Sequence, residues 1–188
     1  MRWLLIASIL IVVVAVPPTL AQPSGVSIKG ASAQGGLSLS PPEQTVQAET
    51  NFTLEVLADC GSNADGVGVV VTFDPVYLQV VAVAEDESKF PLVLRKRFDN
   101  SSGEVYYDAG APLECHNERT CPAGVARLAT LTFRAVTGTV PSTSVSISGE
   151  VVWAGETVFG GEGNGSIVTI TSTARRIYLP LVVRGRAF

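Results

Sequence analysis

An all-β fold, an antiparallel β-sandwich or jelly roll, is what this sequence predicts. Two observations predict it. Apolar residues recur at every second position in one segment after another, and clusters of Gly, Asn, Asp, Ser and Pro separate those segments at regular intervals. A third observation agrees with them: no stretch carries a convincing helical period of useful length. Alternation of this kind gives each strand one buried and one solvated face, the pattern of packed antiparallel sheets. No internal repeat is visible, so solenoids and propellers are excluded.

The elements follow in chain order. Leu37–Leu39 is a first short strand. In Asn51–Ala58, Phe52, Leu54, Val56 and Ala58 share one face, while Thr53 and Glu55 share the other. Gly66–Phe73 is a β-branched run stopped by Asp74-Pro75, because proline lacks an N–H and restricts the residue before it. Its inward positions are Val69, Val71 and Phe73; its outward positions are Gly66, Gly68, Val70 and Thr72. Leu78–Ala84, Leu92–Phe98 and Glu104–Ala109 come next. In the last of these, Tyr106 and Tyr107 point to opposite faces, so one belongs to the core. Leu128–Ala135 places Ala129, Leu131, Phe133 and Ala135 inward, with Thr130, Thr132 and Arg134 outward. Ser144–Ser148, where Val145 and Ile147 alternate with serine, and Val151–Ala154 read as two strands. Glu156–Phe159 and Ser166–Ile170 complete the set, with Val168 and Ile170 on one side. Turns are expected at Gly61-Ser62-Asn63, Asp99 to Gly103, Gly138 to Pro141 and Gly160 to Gly165.

The chain begins with the pattern of a secretory signal peptide. Arg2 is followed by an apolar run from Leu4 to Val16, then Pro17-Pro18 and the small-residue site Thr19-Leu20-Ala21. That run is shorter than the roughly 20 residues that span a bilayer. Residues 1–21 are therefore expected to be removed, leaving a product secreted to the extracellular space or held at the cell surface. Residues 22–36 are rich in Gly, Ser, Ala and Gln and read as a flexible leader. Residues 37–171 make one domain, long enough to bury a real core. The formal net charge is −4, with few lysines, which is a poor basis for nucleic-acid binding. Three cysteines allow at most one internal disulfide. Cys115 and Cys121 enclose one short polar excursion and are the expected pair, although sequence leaves all three pairings open.

Several segments, in order, resemble cohesin domains. They are Phe52-Thr53-Leu54-Glu55-Val56, Gly66 to Pro75, Leu78-Gln79-Val80-Val81, Gly103 to Gly110, Leu128 to Phe133 and Gly165 to Ile170. The resemblance implies an antiparallel β-sandwich with jelly-roll topology and about nine strands, related to cellulose-binding modules. It also implies non-catalytic binding of dockerin modules through one exposed sheet face, in extracellular assemblies that act on polysaccharides. Gly66, Gly68, Val70, Thr72, Tyr106 and Arg134 are taken as that face. Where the resemblance implies polar side chains, Gly66 and Gly68 supply neither donor nor acceptor. A carbohydrate-binding module on the same scaffold, with polysaccharide as its ligand, is the alternative. The tail, residues 172–188, resembles the "YLPLV" ends of secreted Chloroflexus-type bacterial proteins. It carries Arg175, Arg176, Arg184 and Arg186 without an acid. It reads equally as an apolar patch for a partner or an anionic envelope surface, as an edge strand, or as a frayed end.

No catalytic constellation, metal site or cofactor is expected. His116 is the only histidine, and neither a hydrolytic triad nor a zinc site is complete around it. Cys115, His116 and Cys121 would give three ligands at most, and secreted thiols oxidise. The loop Asp59 to Gly66 fails the EF-hand pattern, because Gly61 stands where a ligand is wanted. Asp74 reads as a turn residue rather than an acid catalyst. Asn51, Asn100 and Asn164 head N-x-S/T sequons, which the bacterial-type tail makes incidental. Trp153 reads as core.

Overall fold

A computed structural model describes residues 36–118, 120–136 and 142–172. The expected signal peptide, nearly all of the expected leader, the turn expected from Gly138 to Pro141 and the residues beyond Ser172 lie outside the described residues. Eleven strands and one short helix follow in order. They are β1 (Gly36–Ser40), β2 (Glu43–Gln47), β3 (Asn51–Asp59), β4 (Gly66–Thr72), β5 (Leu78–Glu85), β6 (Leu92–Asp99) and β7 (Glu104–Gly110). Then come α1 (Glu114–Glu118), β8 (Val125–Ala135), β9 (Thr143–Trp153), β10 (Glu156–Glu162) and β11 (Ser166–Thr171). Two sheets form the sandwich. One has the order β1-β3-β8-β5; the other has the order β2-β11-β9-β4-β7-β6, with β10 also paired to β9.

The core lies between the sheets and is made by the alternating side chains. Leu54, Val56, Ala58, Leu131 and Phe133 from the first sheet are buried against Val67, Val69, Val71, Val105, Tyr107 and Ile147 from the second. Phe133 stacks on Phe52 at 5.6 Å and meets Phe73 edge-on at 5.3 Å. Tyr107 is the inward member of its pair; burial pushes its phenol up to about 12, so it stays neutral.

Eleven strands are described against the expected figure of about nine, and they depart in two places from the segments read off the sequence. β2 is a polar segment, Glu-Gln-Thr-Val-Gln, with almost no apolar signal. Chain crossing at Ser40-Pro41-Pro42 carries it from the first sheet to the second, where it pairs parallel with β11, the exception in a set of otherwise antiparallel ladders. The two strands expected at Ser144–Ser148 and Val151–Ala154 are one continuous β9. Gly149 in its middle has φ +148°, and a Cβ there would overlap the Gly68 carbonyl oxygen of β4. Only glycine lets the two backbones approach so closely, so this glycine continues the strand rather than ending it.

Bulges shift the side-chain parity along four strands. Val81 in β5, Leu94 in β6, Leu128 in β8 and Val158 in β10 are each unpaired extra residues. In β8 the shift lets Ala126 and Leu128 be buried along with Ala129, Leu131, Phe133 and Ala135.

The corner after β4 is clamped from the β6–β7 turn. Asp74 accepts from the Val76 N–H at 2.9 Å, and its carbonyl accepts from the N–H groups of Tyr77 and Leu78. Gly103, with φ +73°, presses its backbone on Phe73, whose N–H donates to the Gly103 carbonyl at 2.9 Å. Asn100 completes the clamp at the β5 bulge. Its Oδ1 accepts from the Val80 N–H at 2.7 Å, and its Nδ2 donates to the Val80 carbonyl at 3.0 Å. One side-chain amide thus replaces a missing ladder partner and ties the two sheets together at this end. Asn100→Ala leaves both Val80 groups without that partner. It is expected to destabilise the fold by about 1–3 kcal/mol, read from urea unfolding midpoints at unchanged slope. A loss below about 0.5 kcal/mol would show the clamp to be dispensable.

Candidate functional site

The outer face of β9-β4-β7-β6 is the candidate site. β4 sits at its centre and is paired along all its residues with β7 on one side and β9 on the other. Its outward positions are Gly66, Gly68, Val70 and Thr72, as its alternation requires. The outward neighbours on β7 are Glu104, Tyr106 and Asp108; those on β9 are Ser146, Ser148, Glu150 and Val152.

Glycine gives this face its relief. Gly66, Gly68, Gly110, Gly149, Gly160 and Gly161 leave an open trough of about 690 Å³. Val70 and Val152 give the floor apolar patches, and Leu94 and Arg95 stand on the β6 side. Leu94, the bulged residue, is 75 % exposed, so the rim carries a large apolar side chain.

The charged side chains of β6 and β7 on this face engage one another and Tyr106. Arg95 grips Asp108 in a forked contact, Nε to Oδ2 at 2.6 Å and Nη2 to Oδ1 at 3.0 Å. The guanidinium groups of Arg95 and Arg97 lie 4.9 and 4.4 Å from the centre of the Tyr106 ring. The Tyr106 hydroxyl donates to Glu104 Oε2 at 3.0 Å. Tyr106 is therefore held by cations and a carboxylate, and its ring is not a bare platform for a sugar.

Arg134 does not share this face. It belongs to β8, in register with Asn51 of β3 and Gln79 of β5, and is exposed on the opposite sheet. Its outward direction was legible from alternation, but "outward" names two opposite surfaces in a sandwich. The face is therefore Gly66, Gly68, Val70, Thr72 and Tyr106 without Arg134. On Arg134's own sheet, Arg127 bridges Asp86 at 2.8 Å and Glu55 at 2.9 Å. Hydrogen bonds from Ser88 first, then Arg127, hold the Asp86 carboxyl down at about 2.

A disulfide-closed loop borders the Gly66 end of the trough. Cys115 and Cys121 are joined, with Cα atoms 4.7 Å apart. The excursion read as a polar loop contains the single turn α1. His116 pins it to the sheet: its ring stacks on Trp153 at 4.6 Å, and its Nε2 lies 3.0 Å from Asp65 Oδ2. That oxygen also accepts from the Ala154 N–H at 2.7 Å. Trp153 packs against the core and stacks on His116 as well. The contacts of Asp65 and Trp153 with His116 were not legible in the sequence, because those residues lie far from His116 in the chain. The ligand-type atoms of Cys115, His116 and Cys121 fall within 4.8 Å of one another. The two sulfurs are bonded to each other and the ring nitrogen faces Asp65, so the arrangement serves as a pin rather than as a thiolate metal site. In the neighbouring turn, Asp59 accepts from the Gly61 N–H at 3.0 Å, the hydrogen bond of an Asx turn. Cys60 is fully buried, and burial pushes its thiol up to about 11.

No protein-family model matches the sequence, and no curated protein matches it. Solved structures do. The third cohesin of ScaC from Acetivibrio cellulolyticus, solved in complex with the ScaB dockerin, has 11 % identity and a TM-score of 0.58, covering 73 % of this chain and 99 % of that one. This chain has the cohesin fold. A non-cellulosomal cohesin from the archaeon Archaeoglobus fulgidus aligns with a TM-score of 0.58 at 14 % identity, over 74 % of this chain and 93 % of its own. A cohesin–dockerin complex from Clostridium thermocellum, of OlpA cohesin with Doc918, gives 0.57 at 7 % identity, over 73 % and 99 %. At these identities the cohesin likeness is one of fold, and the chemistry has to be read from this chain's own residues.

Non-reducing peptide mapping is expected to link Cys115 to Cys121 and to recover Cys60 as a thiol that alkylates only after unfolding. A linked Cys60 would refute this pairing.

Proposed function

We propose that this chain is a secreted, non-catalytic binding module that holds a dockerin-like protein on the outer face of β9-β4-β7-β6, in an extracellular or cell-surface assembly linked to polysaccharide processing. One observation carries the reading. Several of the structures that share its fold were solved as cohesin–dockerin complexes, and this chain has a broad sheet face that no described residue covers, with a trough along its centre. The N-terminal pattern Arg2, Leu4 to Val16 and Thr19-Leu20-Ala21 supports the secreted location.

The face suits a protein better than a polysaccharide. Sugar recognition on a sheet uses bare aromatic faces, and Tyr106 is flanked by two guanidinium groups. Apolar rim residues, glycine relief and a scatter of charges resemble the anatomy of a protein interface instead. The N-terminal removal of residues 1–21, the leader 22–36 and an envelope contact by the tail 172–188 belong to the same proposal.

The test is retention of the mature protein on immobilised dockerin modules, run beside affinity electrophoresis in polysaccharide gels. Val70→Arg places bulk on the face and is expected to weaken retention at least tenfold, while Arg134→Glu on the opposite sheet leaves it unchanged. Retardation by polysaccharide with no dockerin retained would sink the reading.

A further inference from the structure

One row of side chains crosses the candidate face in register. Arg95 on β6 stands opposite Asp108 on β7, Asp108 opposite Gly68 on β4, and Gly68 opposite Glu150 on β9. Glu150 in turn faces Gly160 on β10. Two carboxylates thus flank a residue that has no side chain, each one strand away from it. A Cβ built on Gly68 would lie 3.4 Å from Asp108 Oδ1 and 3.9 Å from Glu150 Oε1. Both acids lean over the same vacant position.

Their charges are not equally balanced. Asp108 is held in the fork of Arg95. Glu150 has the Thr157 hydroxyl at 3.3 Å and, among the described residues, no cation within 4 Å. Among the described residues, the trough therefore carries one negative charge without a cationic partner at its centre, over a floor cleared by glycine. Asp65 at the end of the trough is already engaged by His116 and the Ala154 N–H. The complement of this arrangement is a long side chain with an aliphatic stem and a cationic head. The stem fits the glycine floor between Val70 and Val152, and the head meets Glu150 Oε1 and the slot-facing Oδ1 of Asp108.

We propose that the partner's recognition contact is a single lysine or arginine side chain seated over Gly68 between Glu150 and Asp108. The inference rests on the docking reading above and specifies the partner's chemistry. It also gives the glycine at position 68 a purpose: any side chain there would fill the slot.

The experiment separates the two ideas by using small probes as well as dockerins. Amide chemical shifts of the ¹⁵N-labelled mature protein are followed with N-acetyl-lysine methylamide, its arginine counterpart and the uncharged norleucine analogue. Saturable shifts centred on Gly68, Asp108, Gly149 and Glu150 are expected for the two cations and not for norleucine. Glu150→Gln should weaken them about fivefold, and Gly68→Leu should abolish them while the rest of the spectrum stays folded. Equal shifts with norleucine, shifts scattered away from Gly68, or no loss in Glu150→Gln would overturn the proposal. A slot that takes the cationic probes while no dockerin is retained supports this inference and removes the dockerin reading alone. Dockerin retention unaffected by Glu150→Gln would keep the dockerin reading and overturn the slot.

Discussion

Backbone pairing of β4 on both flanks is the constraint on which the rest depends. Seven consecutive residues are matched to β7 on one side and to β9 on the other. A strand held this way cannot slip by one residue, because a slip would turn Val67, Val69 and Val71 to solvent and drive Val70 and Thr72 inward. The same fixity brings Gly149 against Gly68 and puts Asp108 and Glu150 on either side of that glycine. The relief of the outer face is thus a by-product of how tightly the inner face is specified.

The end of β4 shows how the two layers are kept in place. Phe73 belongs to the core and its backbone is covered by Gly103, while Asn100 reaches from the same turn to Val80 in the other sheet. A side-chain amide can replace a backbone partner because it offers one donor and one acceptor in similar geometry. Asn100 also heads a sequence that looks like a glycosylation acceptor, yet its amide is committed within the fold.

What the sequence revealed and what it hid have physical causes. The inward sets of β3, β4 and β11, and of β8 beyond its bulge at Leu128, were legible because alternation is a local property that burial follows. Gly149 misled because a glycine that permits close backbone contact looks the same, in one dimension, as one that ends a strand. β2 was silent because a five-residue polar segment gains its strand from its neighbour β11 and from no pattern of its own. Arg134 was placed on the wrong surface because alternation gives direction without saying which sheet a strand joins. Of the candidate site, the β4 positions were readable. The row from Arg95 to Glu150 was not, since it depends on register among four strands far apart in the chain.

Cys60 has a consequence for how the chain handles oxidation. An odd cysteine beside a disulfide ordinarily invites exchange, because its thiolate can attack the bridge and move it. Here the thiol is enclosed by the core and its ionisation is pushed to about 11. At neutral pH the thiolate is therefore far scarcer than it would be for a solvent-exposed cysteine. The packing of one strand end therefore acts as a chemical safeguard: once folded, the protein has a single usable pair of sulfurs, and three cysteines behave as two.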